Sequence, residues 1–216
     1  MLEPMDLFFD RRLKEYDAHQ LHEIESAQEF YPFTAAQLPR TPGARVLDLG
    51  CGTGLELEYY FAQNPTARVT GIDLAAGMLQ ALREKFPGRD LQLIRGSYLE
   101  VPLGAGIYDA AVSVESLHHF TRAEKVPLYR RVLAALKPGG YFLLTDYFAA
   151  SDREEEHFRA ELLRLRAAEH VPDGTLCHFD TPLTLAHEQA ALREAGFTQV
   201  ELLGTWGATA TLRASL

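Results

Sequence analysis

Between residues 45 and 147, short apolar runs alternate with stretches in which apolar residues recur every three or four positions. The short runs are typical of buried strands, and the longer spacing is typical of amphipathic helices. The pattern predicts strands at Arg45–Asp48, Arg68–Asp73, Leu91–Gly96, Tyr108–Val114 and Tyr141–Tyr147. It predicts helices between them at Leu55–Ala62, Ala76–Phe86 and Arg122–Leu136. Strands separated by helices predict an α/β fold with a parallel sheet covered on both faces.

Two segments do not follow this alternation. Residues 1–44 are predicted to be helical, and residues 149–183 to hold one long polar helix that begins near Ser151. We expect the first to form an N-terminal cap and the second a helical lid inserted after strand five. The remaining chain predicts a helix at Leu183–Ala195 and two last strands, Val200–Leu203 and Trp206–Leu212, around Gly204.

Composition limits the class of protein. The 216 residues suit a single domain with an insertion, and the 47% of apolar and 24% of charged residues exclude a disordered chain. No apolar run predicts a membrane helix, and the N-terminus lacks the pattern of a secretory signal. Two cysteines favour a reducing compartment, so we expect a cytoplasmic protein with no membrane partner. A net charge of −9 disfavours DNA and RNA as partners.

A glycine-rich loop is the strongest local motif. Residues 46–54 read VLDLGCGTG, so the first predicted strand ends in glycines at positions 50, 52 and 54, and a helix follows. Such a loop lets backbone N–H groups approach a ligand at the carboxyl edge of a parallel sheet. Asp73 ends the next strand, where a carboxylate can accept hydrogen bonds from two ribose hydroxyls.

The spacing of this loop separates it from other nucleotide-binding loops. G-x-G-x-G is not the G-x-G-x-x-G of a dinucleotide site, and no G-x-x-x-x-G-K-[ST] phosphate loop is present. Asp48 lies two residues before the first glycine, and a carboxylate there suits a ligand that carries a cation. An NAD-dependent dehydrogenase is therefore disfavoured.

Four segments in this order resemble the class I S-adenosylmethionine-dependent methyltransferases: VLDLGCGTG (46–54), GIDLAAGML (71–79), YDAAVSVESLHHF (108–120) and LKPGGYFLLTDY (136–147). The resemblance covers roughly residues 45–148, and the C-terminal segment is similar to the family's last helix and hairpin. It implies a three-layer, Rossmann-like domain over 1–216 with a seven-stranded sheet. The implied strand order is 3-2-1-4-5-7-6, with strand 7 antiparallel. It also implies S-adenosylmethionine as cofactor and S-adenosylhomocysteine as product.

The resemblance also implies roles for individual residues. Asp48 would hold the amino group, Asp73 the ribose hydroxyls, and Leu74 and Met78 would flank the adenine. The glycine loop and the end of strand four would line the methionyl side, through Gly50, Cys51, Gly52, Gly54, Val114 and Glu115. Ser97 stands where many relatives have an acid that binds the adenine amino group, and Tyr98 follows it. Tyr16, in FFDRRLKEYD, would contact the methionine carboxylate or pack in the core of the cap.

Two groups of histidines are candidates for chemistry. His118 and His119 follow strand four, where the acceptor pocket should open, and one of them is predicted to act as a base or to contact the acceptor. The alternative is that they only pack beneath the loop. A second group comprises His170, Cys177, His178, Asp180 and His187. Its spacing matches no standard zinc site, so no metal is predicted.

A missing sequence motif and the composition of the predicted cap indicate the class of methyl acceptor. The N/D-P-P-Y/F/W segment of aminomethylases is missing, and the predicted cap is aromatic, which favours a small organic acceptor. The expected activity is methyl transfer to oxygen, nitrogen or carbon of a small molecule by a monomer or homodimer. Two alternatives stay open: an RNA-modifying enzyme, because the segment after strand five distantly resembles a wobble-uridine carboxymethylation protein, and a non-catalytic cofactor-binding regulator.

Overall fold

Seven strands form one mixed sheet in the computed structural model, which describes residues 1–216. In chain order the strands are β1 (Arg45–Leu49), β2 (Arg68–Asp73), β3 (Asp90–Arg95), β4 (Tyr108–Val114), β5 (Leu136–Tyr147), β6 (Gln199–Trp206) and β7 (Thr209–Ser215). Their order in space is 3-2-1-4-5-7-6. Strand β7 is antiparallel to both of its neighbours, and the other neighbouring pairs are parallel. The predicted fold class and strand order are confirmed.

Helices cover both faces of the sheet. They are α1 (Met5–Glu23), α2 (Ala27–Ala36), α3 (Leu55–Gln63), α4 (Ala76–Lys85), α5 (Arg122–Ala135), α6 (Asp152–Ala168) and α7 (Leu185–Ala195), with a 3₁₀ turn at Leu117–His119. Strand β1 shows how the faces separate, because successive side chains of a strand point to opposite sides. Val46 packs into the core formed with α2, α3 and α4, whereas Leu47 packs into the core formed with α5 and α7.

The two segments outside the alternation meet each other. Glu3 and Pro4 pair antiparallel with His178 and Cys177, so the N-terminus and the insertion share a two-stranded ribbon. Helix α6 buries none of its residues, and its Ser151 side chain accepts from the Glu154 N–H at 3.2 Å, as the polar pattern predicts. None of the helices combines the length and the apolar character needed to cross a bilayer.

The predicted bounds of the last strands were wrong. The hairpin turns at Gly207, which has φ = 57°, and Trp206 still belongs to β6. A β-carbon on Gly204 would lie 2.7 Å from the Trp206 indole. A glycine is therefore needed here because the Trp206 ring lies over it, and not because the chain turns. Strand β5 also starts five residues earlier than predicted. The glycine turn before Tyr141 lies within the strand, where it shifts the register of the pairing with β4.

Candidate active site

The three glycines of the loop after β1 all adopt left-handed backbone conformations. The φ angles are 73° at Gly50, 47° at Gly52 and 74° at Gly54. Side-chain-bearing residues reach this region only with strain, so the alternate glycines follow from the path of the loop. Space limits the first of them as well, since a β-carbon on Gly50 would lie 2.0 Å from Ser116 Oγ.

Asp73 holds the loop against the start of α4. Its Oδ2 accepts from the Gly52 N–H at 2.9 Å and its Oδ1 from the Ala75 N–H at 2.8 Å. Burial raises the pKa of Asp73, although these backbone hydrogen bonds work in the opposite direction. Each carboxylate oxygen has a second lone pair, so Asp73 can still accept hydrogen bonds from a ligand.

A narrow cleft of about 40 Å³ lies above this loop. Nine of the residues predicted to act at the site line it: Tyr16, Gly50, Gly52, Asp73, Leu74, Met78, Tyr98, Glu115 and His119. The rest of the wall, which the sequence analysis did not assign to the site, is Met5, Phe9 and Ser116. Tyr98 is fixed by Ser116, because its hydroxyl lies 2.9 Å from Ser116 Oγ and donates to the Ser116 carbonyl oxygen at 3.1 Å.

Other predicted residues lie beneath the cleft and do not line it. Cys51 and Val114 are buried, and the Cys51 sulfur packs against Gly71 of β2. The Cys51 N–H donates to the Ile72 carbonyl oxygen at 3.3 Å, which leaves the second lone pair of the Cys51 carbonyl oxygen for a ligand. Gly54 begins α3. Ser97 is buried, and its Oγ accepts from the Leu99 N–H at 3.2 Å.

A buried pair of carboxyl groups lies directly under the loop. Asp48 is 1% exposed and Glu56 is 4% exposed, and Asp48 Oδ2 and Glu56 Oε1 have no hydrogen-bond partner. Burial, and then the neighbouring Glu56, raise the pKa of Asp48, and burial raises the pKa of Glu56. Unpartnered buried oxygens are rare in native structures. A cationic group reaching the loop would supply the charge that this pair lacks.

Helix α1 lies across the cleft and is tied down at both ends of it. The Tyr16 hydroxyl lies 3.6 Å from the position of a β-carbon on Gly52. Asp17 accepts from the Thr53 hydroxyl and, at 2.6 Å, from Lys85 Nζ. Asp10 accepts from the Gly77 N–H at 2.8 Å, at the start of α4. Both aspartates therefore bind α1 to the elements that form the cleft.

A larger cavity of about 630 Å³ adjoins the cleft. The two spaces share Phe9, Tyr16, Glu115 and His119 in their walls. The wall of the larger cavity combines aromatic rings from α1 with titratable groups from the ends of β4 and β5 and from the insertion. These residues include Phe8, His118, Tyr147, His178, Asp180 and Trp206.

His118 and His119 are buried, and their surroundings push their pKa values apart. Burial alone would lower the pKa of His118, but Asp146, whose Oδ1 lies 2.5 Å from His118 Nδ1, raises it to about 9. Burial and the adjacent His118 lower the pKa of His119 to about 4. Burial, and then Asp146, also raise the pKa of Glu115 to about 8. Glu115 has φ = 49°, a strained conformation typical of functional sites.

The second histidine group is divided by the fold. His178 and Asp180 line the larger cavity, whereas His187 pairs with Glu155 at 2.9 Å, and neither His170 nor Cys177 is part of the wall. Burial opposes the negative charge of Asp180, but His119 and His118 beside it hold the pKa of Asp180 well below its usual range.

Comparison with known proteins agrees with this geometry. Residues 46–140 match a family model described as a methyltransferase domain. The malonyl-[acyl-carrier protein] O-methyltransferase of Methylococcus capsulatus is 31% identical over 162 residues, which are 74% of this chain and 54% of that protein. The erythromycin 3''-O-methyltransferase of Saccharopolyspora erythraea is 28% identical over 82% of this chain and 58% of that protein. Residues 46–140 form a methyltransferase domain similar to those of class I S-adenosylmethionine-dependent methyltransferases.

The methyltransferase fold extends over nearly the whole chain. A solved structure from Nostoc punctiforme, assigned as an O-methyltransferase, superposes with a TM-score of 0.71 over 98% of this chain and 61% of that one, at 23% identity. The chain spans a little over half the length of the two sequence relatives.

Two acids of this methyltransferase site have partners that the sequence did not predict: Asp146 was not named as a site residue, and Asp180 was grouped with His178 and His187 and not with His118 and His119. Asp146 and Asp180 lie far apart in sequence from the histidines that they contact. For Asp146 a signal was present, because it lies near the end of β5, next to β4, and the carboxyl ends of parallel strands share one edge. For Asp180 no spacing in the sequence shows which strand the insertion approaches.

Proposed function

We propose that the protein transfers a methyl group from S-adenosylmethionine to a small-molecule acceptor. The observation that carries this proposal is the adjacency of the narrow cleft and the larger cavity, which share Phe9, Tyr16, Glu115 and His119. Methyl transfer requires donor and acceptor to be aligned at contact distance, and two adjoining spaces with a common wall meet that requirement.

The chemistry of the residues that line the cleft suits this cofactor. The open volume of about 40 Å³ is smaller than the cofactor, so binding would require helix α1 to move away from the loop. S-adenosylmethionine, when bound, supplies a methyl group on a positively charged sulfonium, together with an amino group, a ribose and an adenine. Asp73 would accept from the ribose hydroxyls, and Leu74 and Met78 would pack against the adenine. The unpartnered Asp48 beneath the loop would compensate the amino group. Tyr16 would contact the carboxylate, and the backbone of the glycine loop would follow the methionyl chain.

The adenine end is the least specific part of this assignment. Ser97 and Tyr98 follow β3, but both hydroxyls already have protein partners. The backbone of this segment is therefore proposed to contact the adenine. Cys51, Gly54 and Val114 would shape the cleft from beneath.

The larger cavity is proposed to hold the acceptor. Its volume suits a small organic molecule. Near neutral pH its wall holds the cations Arg12 and His118, whose pKa is about 9, against the acids Glu15, Glu25 and Asp180. Glu115, with a pKa of about 8, is mostly protonated and adds little charge. Such a balance disfavours a phosphate-rich acceptor such as RNA. His119, which lies in both walls, and His118, which lines the larger cavity, are proposed to activate the acceptor.

Residues 1–44 and 149–183 are proposed to act together as the cap and lid over both spaces. Helix α1 supplies part of both walls, and the insertion supplies His178 and Asp180. The ribbon between Glu3–Pro4 and Cys177–His178 joins the two segments, so that they would open and close as one unit. An aromatic cover of this kind would exclude water from the transfer.

The test is turnover with a defined acceptor panel. Purified protein is incubated with S-adenosylmethionine and hydroxyl, amine or carboxylate acceptors, and S-adenosylhomocysteine release is measured by mass spectrometry, with Asp73→Ala as the inactive control. Release that depends on a small acceptor supports the proposal. Release only with transfer RNA would replace it with the RNA-modifying alternative, and tight binding without turnover on any acceptor would favour a regulator.

A further inference from the structure

We propose that His118, His119 and Asp180 bind one divalent transition-metal cation on the acceptor side of the site. The two histidines belong to the 3₁₀ turn after β4, and Asp180 belongs to the insertion. The Thr181 N–H donates to the His118 carbonyl oxygen at 2.7 Å, and this main-chain bond places Asp180 beside both rings. His119 Nδ1 lies 3.0 Å and His118 Nε2 lies 3.8 Å from Asp180 Oδ1.

The three atoms form a set of donors that suits a cation. All lie within 4.8 Å of one another, and two imidazole nitrogens and a carboxylate oxygen are common ligands of Zn²⁺ and Fe²⁺. Metal–ligand bonds of about 2 Å in a tetrahedral site separate two ligand atoms by roughly 3.3 Å. The distances of 3.0 Å and 3.8 Å to Asp180 Oδ1 would therefore change by about half an ångström or less. The spacing of these residues in sequence, 118, 119 and 180, follows no standard motif, and only the fold brings them together.

Two of these atoms lack any other partner. His119 Nδ1 and Asp180 Oδ1 are buried and have no hydrogen-bond partner apart from each other, at 3.0 Å. The His119 side chain is only 4% exposed. Buried polar atoms without partners are the groups whose desolvation needs an explanation, and an ion between them supplies one.

His118 is oriented by a second carboxylate, that of Asp146, as metal-binding histidines usually are. Asp146 Oδ1 lies 2.5 Å from His118 Nδ1, and Asp146 Oδ2 accepts from the N–H groups of Leu117 at 2.8 Å and His118 at 3.0 Å. This arrangement keeps a proton on Nδ1, so that a cation would bind Nε2, on the side of Asp180, in place of the second ring proton. Metal-binding histidines usually donate their other ring nitrogen to such a carboxylate.

This inference rests on the proposed function for its role. His118, His119 and Asp180 all line the larger cavity, so coordination positions opposite the protein ligands would face the acceptor. A cation there would bind an acceptor hydroxyl oxygen and lower its pKa, and the proton released would pass to solvent in the cavity. The acceptor class would then be an oxygen nucleophile.

The test measures Zn²⁺ binding directly, in protein without an affinity tag. Chelator-treated protein is titrated with Zn²⁺ by calorimetry, the bound metal is counted by mass spectrometry, and Co²⁺ replaces Zn²⁺ for absorption spectra. We expect one equivalent of tightly bound metal, at least tenfold weaker binding in His119→Ala and in Asp180→Asn, and weaker binding in Asp146→Asn. His187→Ala, which removes a histidine–carboxylate pair outside the cavity, should bind Zn²⁺ as the wild type does.

S-adenosylhomocysteine binding and thermal unfolding are measured on every variant, so that loss of the fold is separated from loss of a ligand. The metal site would be overturned if the wild type bound no stoichiometric Zn²⁺, or if folded His119→Ala and Asp180→Asn bound Zn²⁺ as tightly as the wild type. The histidines would then act as acid–base groups without a metal. Metal binding without turnover of any acceptor would leave the site in place and refute the methyltransferase proposal instead.

Discussion

Ser116 Oγ occupies the space next to Gly50 so closely that a β-carbon on Gly50 would lie 2.0 Å from it. Gly50→Ala must therefore move Ser116, which is bonded to Tyr98 in the wall of the cleft. We expect loss of S-adenosylhomocysteine binding by at least tenfold, measured by calorimetry. The expected destabilisation is about 1–3 kcal/mol, because the residue also has a positive φ.

Gly43→Ala is the matched control for this substitution. Gly43 has nearly the same φ, 74°, but nothing lies within 4 Å of the added β-carbon. This variant should lose stability through backbone strain and keep its affinity for S-adenosylhomocysteine. Equal affinity losses in both variants would show that strain, and not the contact with Ser116, controls the cleft.

Replacing Asp48 in the buried pair of carboxyl groups should raise the stability of the fold and weaken the binding of the cofactor. The pKa of Asp48 is raised in the folded state. Ionisation therefore destabilises the fold, and the free energy of unfolding falls as the pH rises above the ordinary pKa of an aspartate, near 4. Asp48→Asn should therefore gain stability relative to the wild type as the pH rises above about 4, by at most about 1.4 kcal/mol per pH unit. Urea unfolding at several pH values measures this difference.

The same Asp48→Asn protein should bind S-adenosylhomocysteine roughly 10- to 100-fold more weakly, since a charged hydrogen bond contributes about 1.5–3 kcal/mol. Asp90→Asn, at an exposed carboxylate of β3, serves as control and should change neither property. Unchanged affinity in Asp48→Asn would remove this residue from the cofactor site.

The contacts that hold α1 over the cleft should control the release of the ligand. Asp17→Ala removes the contacts to Thr53 and Lys85. We expect S-adenosylhomocysteine to dissociate about tenfold faster, because the two lost interactions are worth roughly 1–2 kcal/mol together. Surface plasmon resonance gives the rate. Asp6→Ala, in the first turn of the same helix, removes a carboxylate that accepts a hydrogen bond from the Leu7 N–H and should leave the rate unchanged.

An ion pair buried between α5 and α7 gives a stability prediction outside the site. Lys125 Nζ lies 2.5 Å from Glu188 Oε2, both side chains are at most 2% exposed, and Tyr129 donates to the same carboxylate. Lys125→Met leaves a buried carboxylate without its cation and should cost about 3–5 kcal/mol in urea unfolding. Adding Glu188→Leu should recover most of that loss.

The surface provides the matched comparison for this pair. Arg122 and Glu194 also join α5 to α7 at 2.9 Å, but both side chains are exposed. Arg122→Met should cost less than about 1 kcal/mol. A similar cost for the two methionine variants would contradict the view that burial makes the Lys125 pair important.

Local patterns predicted the cleft well. The glycine positions, the acid at the end of β2 and the apolar residues of α4 are close in sequence to the strands that carry them, and strand ends meet at one edge by topology. The hairpin was predicted less well. The sequence predicts a turn at Gly204, because no local pattern indicates that the Trp206 ring lies over this glycine.

By itself, the sequence determined the α/β class, the glycine loop and the pair of histidines after β4, because each depends on neighbouring residues or on a period along the chain. Only the tertiary structure decided what the histidines face. Asp146 reaches His118 across two adjacent strands, and Asp180 reaches His119 from an insertion tied to the N-terminus. Such contacts depend on how distant segments pack, and no local pattern encodes the distance between them.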